Sequence, residues 1–112
     1  MEKQISIPFY SPSQHSAIIV VVNYIHEQHL ELLYLTCTVD RTTAQLPDWF
    51  QLREFEFKAV VDGNKYRKLS VNNDSATMDS MLFVDLAYQA IMEQESPGFL
   101  EVYREQVIGR SL

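Results

Sequence analysis

The 112 residues predict a single α+β domain, an antiparallel sheet of about four strands packed by helices, in the order β-α-β-β-β-α-α. Three observations carry this. Two alternating segments flank Asp62-Gly63-Asn64, the signature of a β-hairpin. Ser-Pro pairs at Ser11-Pro12 and Ser96-Pro97 have the form of helix starts, with Ser as N-cap and Pro at the first helical position. A long helical pattern of apolar residues follows Asp74.

Along the chain, residues 3–9 alternate Ile5, Ile7 and Phe9 against polar neighbours, which predicts a short strand that Pro8 restricts to a sheet edge. Residues 12–28 are read as a helix. Ser11-Pro12-Ser13-Gln14 has the form of a capping box, and residues at 100° intervals gather Ala17, Ile18, Val20, Val21, Val22, Tyr24 and Ile25 on one arc. The β-branched run Ile18 to Val22 supports a buried strand as the competing reading.

Residues 30–39 form a strand with Leu33, Leu35, Cys37 and Val39 on its apolar face. Residues 40–51, which hold the single Trp49, are a loop long enough to be functional. The hairpin pairs 52–61 with 66–71, and a loop of 62–64 sets Phe57 opposite Leu69 and Phe55 opposite Val71. Asn73, Asp74 or Ser75 caps a helix that runs to about Gln94, and a last helix spans 97–108 and stops at Gly109. Phe99, Val102, Tyr103, Gln106 and Val107 make the buried stripe of that last helix.

This order over about residues 3–72 resembles cystatin-like and related cone-shaped α+β folds. The order over 12–94 also resembles a double-stranded-RNA-binding domain. That resemblance stops at Asn73-Asp74-Ser75-Ala76-Thr77-Met78-Asp79, an acidic stretch where that family presents lysines to phosphate.

Charge narrows the partners. The net charge is −6, with −3 on residues 1–51, +2 on 52–73 and −5 on 74–112. An acidic body repels a phosphate backbone, so neither nucleic acid nor an anionic membrane is expected as partner. Lone Cys37 forms no intramolecular disulfide, the longest apolar run is six residues, and no export signal is legible, so a cytoplasmic location is expected.

No catalytic set, metal site or cofactor site is predicted. His26 and His29 are spaced i, i+3 and straddle the predicted helix end, where the zinc-protease pattern needs i, i+4. They are read as exposed helix-terminal imidazoles, Cys37 as a small hydrophobe, and Glu54 with Glu56 as a solvated sheet face.

Surplus hydrophobicity marks the long helix. Met81, Val84, Ala87, Tyr88, Ile91 and Met92 form its core arc, widened by Phe83 and Ala90, while Leu82 and Leu86 fall on the polar side among Asp79, Asp85, Gln89 and Glu93. A second apolar stripe calls for a cover: the last helix, or a homodimer contact through Leu82 and Leu86. The leading expectation is a non-enzymatic interaction or accessory module that self-associates, with a further protein partner on the acidic helical face as an option. The alternative is a small-molecule or enzymatic pocket between sheet and helix, lined by Tyr34, Trp49, Phe50, Phe55 and Tyr88.

Overall fold

The computed structural model describes residues 1–42, 45–63, 65–74 and 77–111, with the side chains of 106–111 excepted. It is α+β. Five strands, β1 (Glu2–Ser11), β2 (Ser16–His29), β3 (Leu32–Val39), β4 (Glu54–Asp62) and β5 (Lys65–Asn73), precede two helices, α1 (Met78–Glu95) and α2 (Phe99–Ser111). The sheet is a pure antiparallel meander in the order β1-β2-β3-β4-β5, so each strand pairs with its neighbours in sequence.

The element order corrects the predicted one, because residues 16–29 are the central strand β2 and no helix separates it from β1. The cap geometry did form: Ser11 Oγ accepts the Gln14 backbone N–H at 3.0 Å, as a helix N-cap would. The chain then turns through His15 at φ +50° and returns as a strand instead of winding on. Stiff β-branched side chains favour the pleated surface, and β2 finds a hydrogen-bonding neighbour on each side. With that helix gone, the resemblance in order to cone-shaped and RNA-binding folds is gone too.

Each strand turns one parity towards the helices. Ile5, Ile7 and Phe9 of β1 pair with Val22, Val20 and Ile18 of β2. The face continues through Leu33, Leu35, Cys37 and Val39, then Phe55, Phe57 and Ala59, all in the buried core except the partly buried Ile5 and Ile18. β1 is an edge strand, as Pro8 predicted, but it is longer than expected.

Two registers differ from expectation. β3 begins at Leu32, not residue 30, because Leu30 takes φ +57° in the turn and is exposed. In the β4–β5 hairpin Asp62 pairs with Lys65, so the loop has two positions, Gly63 at φ +62° and residue 64, the latter outside the described residues. A bulge between Lys58 and Ala59 then shifts the ladder, so that Phe57 faces Val71 and Phe55 faces Asn73. Leu69, the expected partner of Phe57, has no counterpart in the register and is left exposed.

The long loop supplies core. Arg41 donates to the carbonyls of Phe50 (2.8 Å) and Leu52 (3.1 Å), and this bracket holds both apolar side chains beneath α1. Phe50 meets Phe83 edge to face at 5.2 Å between centroids, and Phe9 meets Phe83 at 5.5 Å.

Helix α1 starts at Thr77, whose Oγ1 accepts Ser80 N–H at 3.1 Å. Of the three predicted caps, Asp74 accepts instead from Arg53 N–H and Glu54 N–H, fastening the chain to β4; Asn73 pairs with Phe55 in the sheet; and Ser75 lies outside the described residues. Ser96 is the C-cap of α1 and not the N-cap of α2. The start of α2 is satisfied by Glu93, whose carboxylate accepts Gly98 N–H (3.0 Å) and Leu100 N–H (2.8 Å) and is thereby held below its ordinary pKa. α2 continues through Gly109 to Ser111. Its Phe99 ring packs on Tyr66, Tyr88 and Tyr103 at 5.2–5.8 Å, while the predicted stripe members Gln106 and Val107 lie outside the described side chains.

Candidate functional site

Helix α1 divides the candidate site from the core. Phe83, Val84, Ala87, Tyr88, Ile91 and Met92 face the sheet and are buried, largely as the wheel predicted. Met81, placed in the core arc by the wheel, is instead 53% exposed. With Met78 at 70%, Leu82 at 44% and Leu86 at 37%, it gives α1 an outer surface of four large apolar side chains. Met78, Leu82 and Leu86 follow at four-residue spacing, one above another, and Met81 lies three residues from Met78. Among the described residues α2 does not cover them.

The acidic residues of α1 are all engaged within the chain. Asp79 Oδ2 accepts from Ser13 Oγ at 2.6 Å. Asp85 takes an ion pair from Lys68 at 3.2 Å and a hydrogen bond from Gln89 at 3.0 Å. Glu93 caps α2. Glu95 accepts from Lys3 Nζ (2.8 Å) and Tyr24 Oη (2.8 Å) and lies 3.7 Å from His26 Nδ1, while Gln94 donates to Tyr24 Oη at 2.6 Å.

This last cluster clasps the end of α1 to β1 and β2. Burial works to raise the Glu95 carboxyl, but Lys3, Tyr24 and His26 outweigh it and hold the group below its ordinary value. Burial together with the hydrogen bond to Glu95 pushes Tyr24 up to about 12. Nothing local in the sequence announces the clasp, since Glu95 lies 69 to 92 positions from Lys3, Tyr24 and His26.

His26 and His29 are therefore strand residues, not helix-terminal ones. Odd spacing places them on opposite faces, with His26 beside Glu95 and His29 at the β2–β3 turn opposite Leu32. Burial pushes the Cys37 thiol up to about 12, which suits its place as a small core hydrophobe. Among the described residues no group of three or more His, Cys, Asp and Glu is placed to hold a metal ion.

The five predicted pocket residues are dispersed. Tyr34 stands on the open face of the sheet opposite Lys58, whose Nζ lies 5.7 Å above its ring. Phe50, Phe55 and Tyr88 are on the other side of the sheet, packed in the core, and Trp49 is partly buried against Phe50 at 6.1 Å. Phe55 also borders an open hollow of about 280 Å³ shared with Thr36, Glu54, Glu56 and Asn72. Tyr88 Oη is buried without a hydrogen-bond partner among the described residues.

No protein-family model, curated protein or solved structure matches the chain. No helix among the described residues is long and apolar enough to cross a membrane.

Proposed function

We propose that the protein is a non-enzymatic interaction module that self-associates through the outer face of α1. The observation that carries this reading is the exposed group Met78, Met81, Leu82 and Leu86 on an ordered helix whose opposite face is already saturated with core contacts.

The apolar make-up of the exposed row favours a second copy over a basic partner. Of the four carboxylates of α1, Asp85 and Glu95 are paired with Lys68 and Lys3, whereas Asp79 and Glu93 accept only from neutral donors and stay charged. Two such faces meeting across a two-fold axis bury the apolar row on itself, and salt in solution screens the charges that remain beside it. A row at four-residue spacing is also self-complementary when two helices cross antiparallel.

Sedimentation velocity across a concentration series tests this. The wild-type chain is expected to associate reversibly, and Leu82→Glu, which sets a charge in the middle of the row, is expected to sediment as a single chain with an unchanged far-UV circular dichroism spectrum. Wild-type protein that stays a single chain at every concentration, or a Leu82→Glu variant that associates as well as wild type, overturns the reading.

A further inference from the structure

We infer that Met78 and Met81 are oxidation sites that switch this association off, a hydroperoxide being the oxidant. The inference rests on the reading of the α1 outer face as the self-association surface and adds its regulation.

The chain has four methionines, Met1, Met78, Met81 and Met92. Their surroundings sort them sharply. Met92 is wholly buried on the inner face of α1, whereas Met78 and Met81 stand out from the same helix at 70% and 53% exposure. A thioether reacts in proportion to the access its sulfur offers to the oxidant, so the two exposed residues react first and Met92 is shielded for as long as the fold holds.

The step itself is balanced. A lone pair on the methionine sulfur attacks one peroxide oxygen; the S–O bond forms as the O–O bond breaks. Sulfur loses two electrons, and hydrogen peroxide is reduced to water, its departing hydroxide taking up the proton left by the transferred oxygen. The product, methionine sulfoxide, replaces a flexible apolar side chain by one bearing a strong hydrogen-bond acceptor.

On this face that change has a specific effect. Met78 lies one turn before Leu82, at the centre of the apolar row, and Met81 lies one turn from Met78. Closing two faces over a sulfoxide strips water from the S=O group, and the residues one turn along the helix from the two methionines, Met81 and Leu82 for Met78 and Val84 and Asp85 for Met81, supply it no side-chain donor. The separated chain loses nothing, since both groups stay hydrated there. Association and oxidation therefore oppose each other: pairing shields the sulfurs, and a sulfoxide holds the chain in its separated form.

The test uses the full chain with hydrogen peroxide as the probe. Peptide mass mapping of treated protein is expected to show one added oxygen on each of Met78 and Met81 and none on Met92, and sedimentation is expected to show the association constant reduced by about tenfold or more. The Met78→Leu/Met81→Leu variant keeps the face apolar, so it is expected to associate before treatment and to remain associated after the same dose, with Met1 as exposed in it as in wild type. An untreated wild-type chain that never associates overturns the underlying reading together with this one. A wild-type chain that associates, and goes on associating after Met78 and Met81 are fully oxidised, overturns the switch alone. So does a leucine variant that peroxide dissociates equally, or oxidation of Met92 as fast as of Met78.

Discussion

The two faces of α1 are built from the same kinds of residue and end in opposite states. Phe83, Val84, Ala87, Tyr88, Ile91 and Met92 are 0–3% exposed, while Met78, Met81, Leu82 and Leu86 are 37–70% exposed. What separates them is cover. The inner face meets a sheet whose β1, β3 and β4 strands, together with Phe50 and Leu52, present rings and aliphatic chains to it; among the described residues the outer face is left with its large apolar side chains more than a third exposed. Apolar content alone therefore does not tell core from contact surface, and the difference can be broken at either face.

The largest effect is expected where three rings converge on one. Phe83→Ala removes the side chain that Phe9, Phe50 and Phe55 all meet, and is expected to cost about 3–5 kcal/mol in denaturant unfolding. Leu86→Ala on the outer face, measured in dilute solution, is expected to cost less than about 1 kcal/mol. Equal costs would show that the outer face is packed after all.

A smaller effect is expected at the clasp. Glu95→Gln keeps the shape but loses the ion pair with Lys3 and the charge on the acceptor of the Tyr24 hydrogen bond, and should destabilise the protein by about 1–3 kcal/mol near pH 7. The sign with pH follows from the lowered carboxyl: its contribution is fully present above the ordinary value of 4.5 and is lost as pH falls through 4.5 towards the lower folded-state value. Wild type and Glu95→Gln should therefore converge in stability as the pH falls below 4.5, and melting curves on both sides of that value will show whether they do. A gap that does not change with pH would mean that shape, not charge, fastens the end of α1.

The smallest effect is expected from the least visible group. Tyr88→Phe deletes a buried hydroxyl that has no hydrogen-bond partner among the described residues, so unfolding should change by less than about 1 kcal/mol or become harder. The ring is the part that packs, against Phe57 at 5.0 Å and Phe99 at 5.8 Å. A loss above about 2 kcal/mol would reveal a bonded hydroxyl at that position.

How far the chain could be read depended on whether its signals were one-sided. β3 and β4 alternate cleanly because only one of their faces is buried, and Leu33 to Val39 and Phe55 to Ala59 fell on the predicted side. β2 could not be read that way. Ile19, Val21 and Ile25 occupy the parity opposite to Ile18, Val20, Val22 and Tyr24, so both faces are apolar and no period of two shows. A true capping contact at Ser11 then pointed to the wrong element. Of the candidate site, Leu82 and Leu86 were legible as apolar residues on a polar arc, whereas Met81 was not, because it shares the angular position of buried Tyr88 and Met92 and differs from them only in lying in the first turn of the helix.

The sequence by itself determined the α+β class, the hairpin, the edge position of β1, the two C-terminal helices and the excess of apolar side chains on α1, since each follows from local propensity, turn chemistry or periodicity. Only the tertiary structure decided that residues 16–29 extend, that a bulge shifts β5, that Glu95 joins Lys3 and Tyr24, and which stripe of α1 is left uncovered. Those outcomes depend on neighbours remote in the chain: a strand is chosen over a helix when partners lie on both sides of it, and a carboxylate near the end of a helix gains its cation from a strand some ninety residues earlier.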